Sequence, residues 1–178
     1  MSGRDSPWTV RRAVSADGAF MADMLVEAVN WSSEWKRKSR NRVLSAPATG
    51  RYIAGWPRDT DLGVIAETGG EPIGAAWLRF FPASEPGYGF VAPGIPELTV
   101  GVAAPWRGRG VGRALLRAIA GQARSAGVAQ ISLSVERKNF AHKLYLSEGY
   151  RVVSPGYAGS DTMVKLLTGS ARIRNYHI

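Results

Sequence analysis

Between Glu97 and Gly112 the chain reads ELTVGVAAPWRGRGVG, an alternating segment that runs straight into a glycine-rich turn. Leu98, Val100 and Val102 alternate with Glu97, Thr99 and Gly101, which is the period of a strand. Beyond the turn, Val111, Leu115 and Ile119 recur every fourth residue and predict a helix with one apolar face. Arg113, Arg117 and Arg124 fall together on another side of that helix. A glycine-rich turn opening a helix leaves backbone N–H groups unpaired at the positive end of the helix dipole. Glycine lets an anion come close to those groups because no Cβ intervenes. Arg107, Arg109 and Arg113 add full positive charge at the same place, so the expected guest is a pyrophosphate.

Two common pyrophosphate motifs are absent. The dinucleotide fingerprint G-x-G-x-x-G, started at Gly108, requires glycine where Arg113 stands, and no G-x-x-x-x-G-K-[ST] run occurs in the chain. The pattern that fits is [Q/R]-x-x-G-x-[G/A], met by Arg107, Gly110 and Gly112. A second motif follows about one helix and one strand later, Asn139-x-Ala141-x-x-Leu144-Tyr145 and then Gly149-Tyr150. With both motifs in this order, the chain resembles the GNAT superfamily of acyl-CoA-dependent N-acyltransferases. The resemblance spans roughly 9–167, with its specific motifs in 97–150.

That resemblance implies an α/β (α+β) fold: a mixed, mostly antiparallel central sheet with helices on both faces. It implies acetyl-CoA as co-substrate and a V-shaped opening where the strand at 97–102 splays from its neighbour. Backbone around Val100, Gly101 and Val102 would then bond the pantetheine arm and the thioester oxygen. Arg107, Gly108, Arg109, Gly110, Val111, Gly112 and Arg113 would hold the pyrophosphate. Gly101 is consistent with close backbone approach or with a simple bulge. Asn139 would bond the pantetheine arm or else cap a helix.

Acyl transfer to an amine also needs a base for the ammonium proton and an acid for the departing thiolate. Glu97 lies close to the place where the family often keeps a carboxylate; it is a candidate base or an ordinary polar residue at a strand start. Glu136 and Glu34 are weaker candidates. Ala141, Leu144 and Tyr145 share one helix face, which directs the Tyr145 ring inward. Tyr145 matches the family motif as the acid, or is a core tyrosine. His142, beside Lys143, is expected in solvent.

Composition narrows the alternatives. A length of 178 residues predicts one domain, 1–178, with polar, flexible ends at 1–7 and 168–178. The chain has no cysteine, so disulfides and thiolate metal sites are excluded. The commonest acyl-carrying nucleophile is missing too, which suits direct transfer in a ternary complex. No metal site is expected. No apolar run approaches the ~18 residues of a membrane span, and the N-terminus lacks a secretory apolar region, so a cytoplasmic, membrane-free protein is the expectation. The net charge of +9 admits nucleic acid, but the phosphates of CoA account for it equally well. The cluster Lys36-Arg37-Lys38-x-Arg40-x-Arg42, after Trp31 and Trp35, reads as a solvated face or a phosphate contact. The acceptor is a small-molecule or peptide amine. Nucleic acid is the less favoured partner, and a homodimer is left open. A non-catalytic CoA- or nucleic-acid-binding regulatory domain is the alternative.

The remaining elements follow from pattern. Trp8–Arg12 suits a first strand, and Ser15–Asp17 a helix start with Asp17 as cap. That helix would run to about Asn30 with Phe20, Met24 and Leu25 toward the core. Parts of 32–46 read as helical and 48–56 as irregular or helical; aromatics there are packing residues or ligand walls. Leu62–Glu67 and Ile73–Phe80 predict a hairpin around Thr68–Pro72. The proline- and glycine-rich stretch 82–96 is a long loop, with Tyr88 and Phe90 either walling an acceptor pocket or lying on plain surface. A helix over 140–148, ended by Gly149, precedes strands at Tyr150–Val153 and Thr162–Leu167.

Overall fold

The computed structural model describes residues 7–167; of the flexible ends expected at 1–7 and 168–178, all but Pro7 lie outside the described residues. Seven strands are present: β1 (Thr9–Arg12), β2 (Leu62–Thr68), β3 (Glu71–Arg79), β4 (Glu97–Val102), β5 (Gln130–Glu136), β6 (Arg151–Pro155) and β7 (Ser160–Leu166). They form one sheet in the order β1-β2-β3-β4-β5-β7-β6. Every neighbouring pair is antiparallel except β4 with β5. The helices are α1 (Gly18–Val29), α2 (Arg40–Ser45), α3 (Pro47–Gly50), α4 (Val111–Ser125) and α5 (Ala141–Ser147). The mixed, mostly antiparallel sheet with helices on both faces is therefore present.

Each face of the sheet buries its own core. On one, Val111, Leu115, Leu116, Ile119 and Ala123 of α4 pack on Val64, Ile73, Leu98, Ile131 and Leu133 of the strands. On the other, Met21, Met24 and Leu25 of α1 and Val43 of α2 pack on Ile65, Ala75 and Trp77. Gly101 belongs to this second contact. A Cβ there would lie 2.4 Å from the Met24 carbonyl oxygen, so glycine is what lets α1 sit on β4. The register of β3 with β4 runs unbroken from Gly74↔Val102 to Arg79↔Glu97, which removes the bulge reading. The close approach at Gly101 is made by the α1 backbone.

Local chemistry departs from expectation in several places. The hairpin between β2 and β3 turns on Gly69 and Gly70 alone, with φ of +54° and +82°, and Thr68 already pairs with Glu71. Two residues with positive φ match the right-handed twist of the strands they join. Asp17 does not cap α1. Its carboxylate accepts the Val14 N–H at 2.7 Å and binds the Arg11 guanidinium, tying α1 back to β1. Phe20 is half-buried, whereas Met24 and Leu25 are core. Trp56 packs against Gly63 and donates to the Val14 carbonyl at 3.1 Å.

Arg79 and Asp61 form an ion pair at 2.7 Å in which both side chains are 1% exposed. Arg79 also donates to the carbonyls of Arg51 and Ala54, at 2.9 and 2.7 Å. The charges, taken out of water, are thus satisfied and clamp the segment on either side of Tyr52. No helix among the described residues is long and apolar enough to cross a membrane. No group of three or more His, Asp or Glu is placed to hold a metal ion among them.

Candidate active site

β4 and β5 meet at a single register pair, Glu97↔Ser132, where the Ser132 N–H donates to the Pro96 carbonyl at 3.0 Å. β4 continues to Val102 and β5 to Glu136 with no further pair between them, so the sheet opens like a V. Ala103 N–H bonds the Ile73 carbonyl at 2.8 Å, on the β3 side. Backbone direction alternates along a strand, so the N–H groups of Val100 and Val102 face the opening. A cleft of about 650 Å³ follows this gap, and Glu97, Val100, Gly101, Val102, Asn139 and Tyr145 line it.

At the Val102 end lies the turn. Gly108 and Gly110 have φ of +70° and +91°, a region that favours glycine. Gly110 is the N-cap of α4, and no side chain caps the helix, so its first N–H groups stay available. Gly108, Gly110 and Gly112 line the cleft. The arginines divide their tasks. Arg107 lines the cleft, donates to the Val102 carbonyl at 3.0 Å and pairs with Glu27 of α1 at 2.6 Å. Arg113 also lines it but is paired with Glu148. Arg109 stands 5.1 Å over the Trp106 ring, away from the cleft lining, and Val111 is a core side chain, 1% exposed.

At the Glu97 end, the odd-numbered face of β4 turns toward α1. Glu97 is buried, with Oε1 accepting from the Tyr52 hydroxyl at 2.9 Å and the Gly89 N–H at 2.8 Å. Its Oε2 has no hydrogen-bond partner among the described residues. Burial pushes the Glu97 carboxyl above the usual carboxylate range, against the hydrogen bonds from Gly89 and Tyr52. Gly87 is required here: a Cβ on it would sit 2.0 Å from Oε2. The loop 82–96 thus folds directly over the carboxylate.

Tyr145 comes from the opposite face. It packs with Leu144 against the α4 core, its ring 5.7 Å from Tyr150 in an edge-on contact. Burial pushes its phenol up to about 12, so the hydroxyl carries its proton at neutral pH. α5 ends as predicted: Tyr150 N–H bonds the Tyr145 carbonyl at 3.0 Å, Gly149 N–H bonds that of Leu146 at 3.2 Å, and Gly149 has φ of +94°. Asn139 Oδ1 accepts from Ala141 N–H at 2.9 Å, which leaves the amide NH₂ free at the cleft wall.

Other expectations change. His142 is not in solvent; its Nε2 lies 3.0 Å from Asp161 Oδ2, and its side chain is 18% exposed. Glu136 lines the cleft and Glu34 is exposed outside it. In the basic cluster, Arg37 pairs with Glu27 and Arg40 with Asp23, whereas Lys38 borders the cleft. Trp31 and Trp35 meet edge to face at 5.3 Å and line the cleft. Sequence reasoning missed Tyr52 as the partner of Glu97. It also gave Tyr157 and Ala158 no role, although both border the cleft.

The Acetyltransferase (GNAT) family profile matches residues 25–150. No curated protein sequence matches the chain. Among solved structures, yncA of Salmonella typhimurium, solved with its cofactor acetyl-CoA, is 23% identical with a TM-score of 0.64, covering 93% of this chain and 97% of that one. The PaiA N-acetyltransferase of Thermoplasma acidophilum, in complex with coenzyme A, is 17% identical with a TM-score of 0.67, covering 90% and 99%. The ribosomal-protein-S18-alanine N-acetyltransferase of Escherichia coli is 18% identical with a TM-score of 0.62, covering 96% and 99%.

Proposed function

The chain belongs to the GNAT acetyltransferase family, and from that premise we propose that it moves an acetyl group from acetyl-CoA to a primary amine by direct attack within a ternary complex. The observation that carries this reading is the position of Glu97 and Tyr145 on opposite faces of one gap that ends at an uncapped, glycine-rich helix start. Open backbone N–H groups along β4 suit an amide-bearing arm, and the turn at 108–112 suits a pyrophosphate. Arg107, Gly108, Gly110 and Gly112 would hold the phosphates, and Val100, Val102 and the Asn139 amide the arm.

Acetyl-CoA supplies an activated thioester carbonyl; the protein supplies position and proton traffic. The β4 N–H groups orient that carbonyl toward the Glu97 side of the gap. Glu97 takes a proton from the incoming ammonium, directly or through water, leaving a neutral amine. Its raised pKa brings it nearer the pH at which it must work. When the nitrogen–carbon bond has formed and the carbon–sulfur bond breaks, Tyr145 gives its phenolic proton to sulfur. The nitrogen, now carrying a positive charge, gives up its second proton as the amide forms, and that proton restores the Tyr145 phenol through the cleft, while Glu97 returns the first to solvent.

The rival reading, a basic domain that grips nucleic acid without catalysis, is disfavoured by the pairing of Arg37 and Arg40 with acids of α1. Calorimetric titration with acetyl-CoA, followed by thiol release against an amine panel, tests the proposal. Micromolar binding with amine-dependent release is expected. Binding without release from any amine contradicts catalysis, and no binding contradicts the site.

A further inference from the structure

Two tyrosines at the cleft mouth remain unused by the mechanism. Tyr88 is 46% exposed and Tyr157 is 73% exposed, yet both line the cleft. Their rings stand 6.2 Å apart at 33°, too close for a third ring between them but suited to a continuous aromatic wall.

Both rings are held in place by backbone. Tyr88 N–H donates to the Tyr52 hydroxyl at 2.7 Å, and that hydroxyl donates to Glu97. The wall and the carboxylate are therefore fixed to the same atom. Tyr157 sits in the turn between β6 and β7, where Ala158 adopts φ of +48°. A non-glycine residue in that region is strained and persists only where surroundings enforce it. They do so here: Gly156 N–H bonds the Ser160 carbonyl at 2.8 Å and Arg137 N–H the Gly159 carbonyl at 3.2 Å. Arg137 and His142 both grip Asp161, at 2.9 and 3.0 Å. The braced turn thus sets the Tyr157 ring against Tyr88 and leaves the rest of it open at the cleft. Across the cleft lining, Trp31 and Trp35 add aromatic surface from the segment after α1, with Trp35 half exposed.

A polyamine or lysine-rich acceptor would call for a row of carboxylates. Of the three acids that line the cleft, Glu27 is bonded to Arg37 and Arg107, leaving Glu97 and Glu136. We propose that the acceptor is a primary amine borne on an aromatic group, its ring laid on the Tyr88–Tyr157 wall and its nitrogen delivered to Glu97. This rests on the acyltransferase reading above.

The test is steady-state thiol release at saturating acetyl-CoA with 2-phenylethylamine, hexylamine, spermidine and an alanyl peptide. The aryl amine should exceed each of the others in kcat/KM by roughly tenfold or more. Tyr157→Ala should raise its KM by about tenfold, the scale of one lost ring contact. Tyr157→Phe should stay near wild type, and calorimetry should give an unchanged acetyl-CoA Kd in both variants. A preference for spermidine, hexylamine or the peptide overturns the inference, as does a Tyr157→Ala KM that does not move. Acetyl-CoA binding with turnover of other amines only sinks the acceptor class and leaves the acyltransferase standing. Failure to bind acetyl-CoA at all sinks both.

Discussion

The Tyr52 hydroxyl donates to Glu97 Oε1 at 2.9 Å while accepting the Tyr88 N–H at 2.7 Å, so one phenol joins α3's trailing segment, the base candidate and the loop above it. Tyr52 is itself fixed, by an edge-on contact with Phe81 at 5.1 Å and by its carbonyl on Trp77 Nε1 at 2.8 Å. Its hydrogen bond favours the charged carboxylate. With amine saturating, kcat should rise with pH through the Glu97 titration, at a pH above the ordinary carboxylate range. Tyr52→Phe removes a bond that lowers this pKa, so the acidic limb should move to higher pH. Glu97→Gln should abolish the limb and cut kcat by about 10²-fold or more. A Tyr52→Phe profile superimposable on wild type would show that the bond does not act on the base.

Gly110→Val places a β-branched residue at φ of +91° in the turn. The acetyl-CoA Kd should rise by roughly tenfold or more, about 1.4 kcal/mol. Calorimetry on the folded variant is the check; an unchanged Kd would remove the turn from the donor site.

Gly101→Ala tests packing instead. Its new Cβ would press on the Met24 carbonyl and force α1 off β4. A loss of about 1–3 kcal/mol is expected, seen as a Tm lowered by several degrees. A Tm equal to wild type would mean that α1 yields without cost.

Asp61→Ala leaves the Arg79 guanidinium buried without its carboxylate. A loss of about 3–5 kcal/mol is expected. Arg79 holds the carbonyls of Arg51 and Ala54, so acetylation should weaken as well in whatever fraction stays folded. Thermal melts and turnover per folded molecule read the two effects separately.

What could be read from the chain alone was what depends on near neighbours. The strand–turn–helix at 97–125 and the Gly149 cap are set by residues within a few positions, and both were expected. Tyr145 was directed inward by its spacing from Ala141. Glu97 was named as a candidate base, but its partners were not legible, because Tyr52 lies 45 positions away and Gly89 lies in an irregular loop. Gly101 was read as either a close backbone approach or a bulge, since nothing local reveals that Met24 of another element needs that space. Arg113 looked free for phosphate because its partner, Glu148, is 35 positions distant. His142 looked solvated for the same reason; Asp161 reaches it from β7.

Glu148 gives a pH test of stability. Its burial would raise the carboxyl, but Arg117 and Arg113 outweigh that and hold it below the usual range. A lowered folded pKa means stabilisation present above the unfolded pKa and lost as pH falls through the folded value. Glu148→Gln should therefore lower Tm by roughly 3 °C near pH 7, about 1 kcal/mol given the partly exposed arginines, and by less near pH 3. An equal deficit at both pH values would contradict the ion-pair account.

In the proposed mechanism protons enter at Glu97 on one face of the β4–β5 gap and leave through Tyr145 on the other. The most direct measurement is Tyr145→Phe, with turnover and acetyl-CoA Kd determined on the same preparation. A fall in kcat of about 10²-fold with the Kd unchanged is the predicted result. Turnover near wild type would contradict the claim and assign the departing sulfur's proton to another donor.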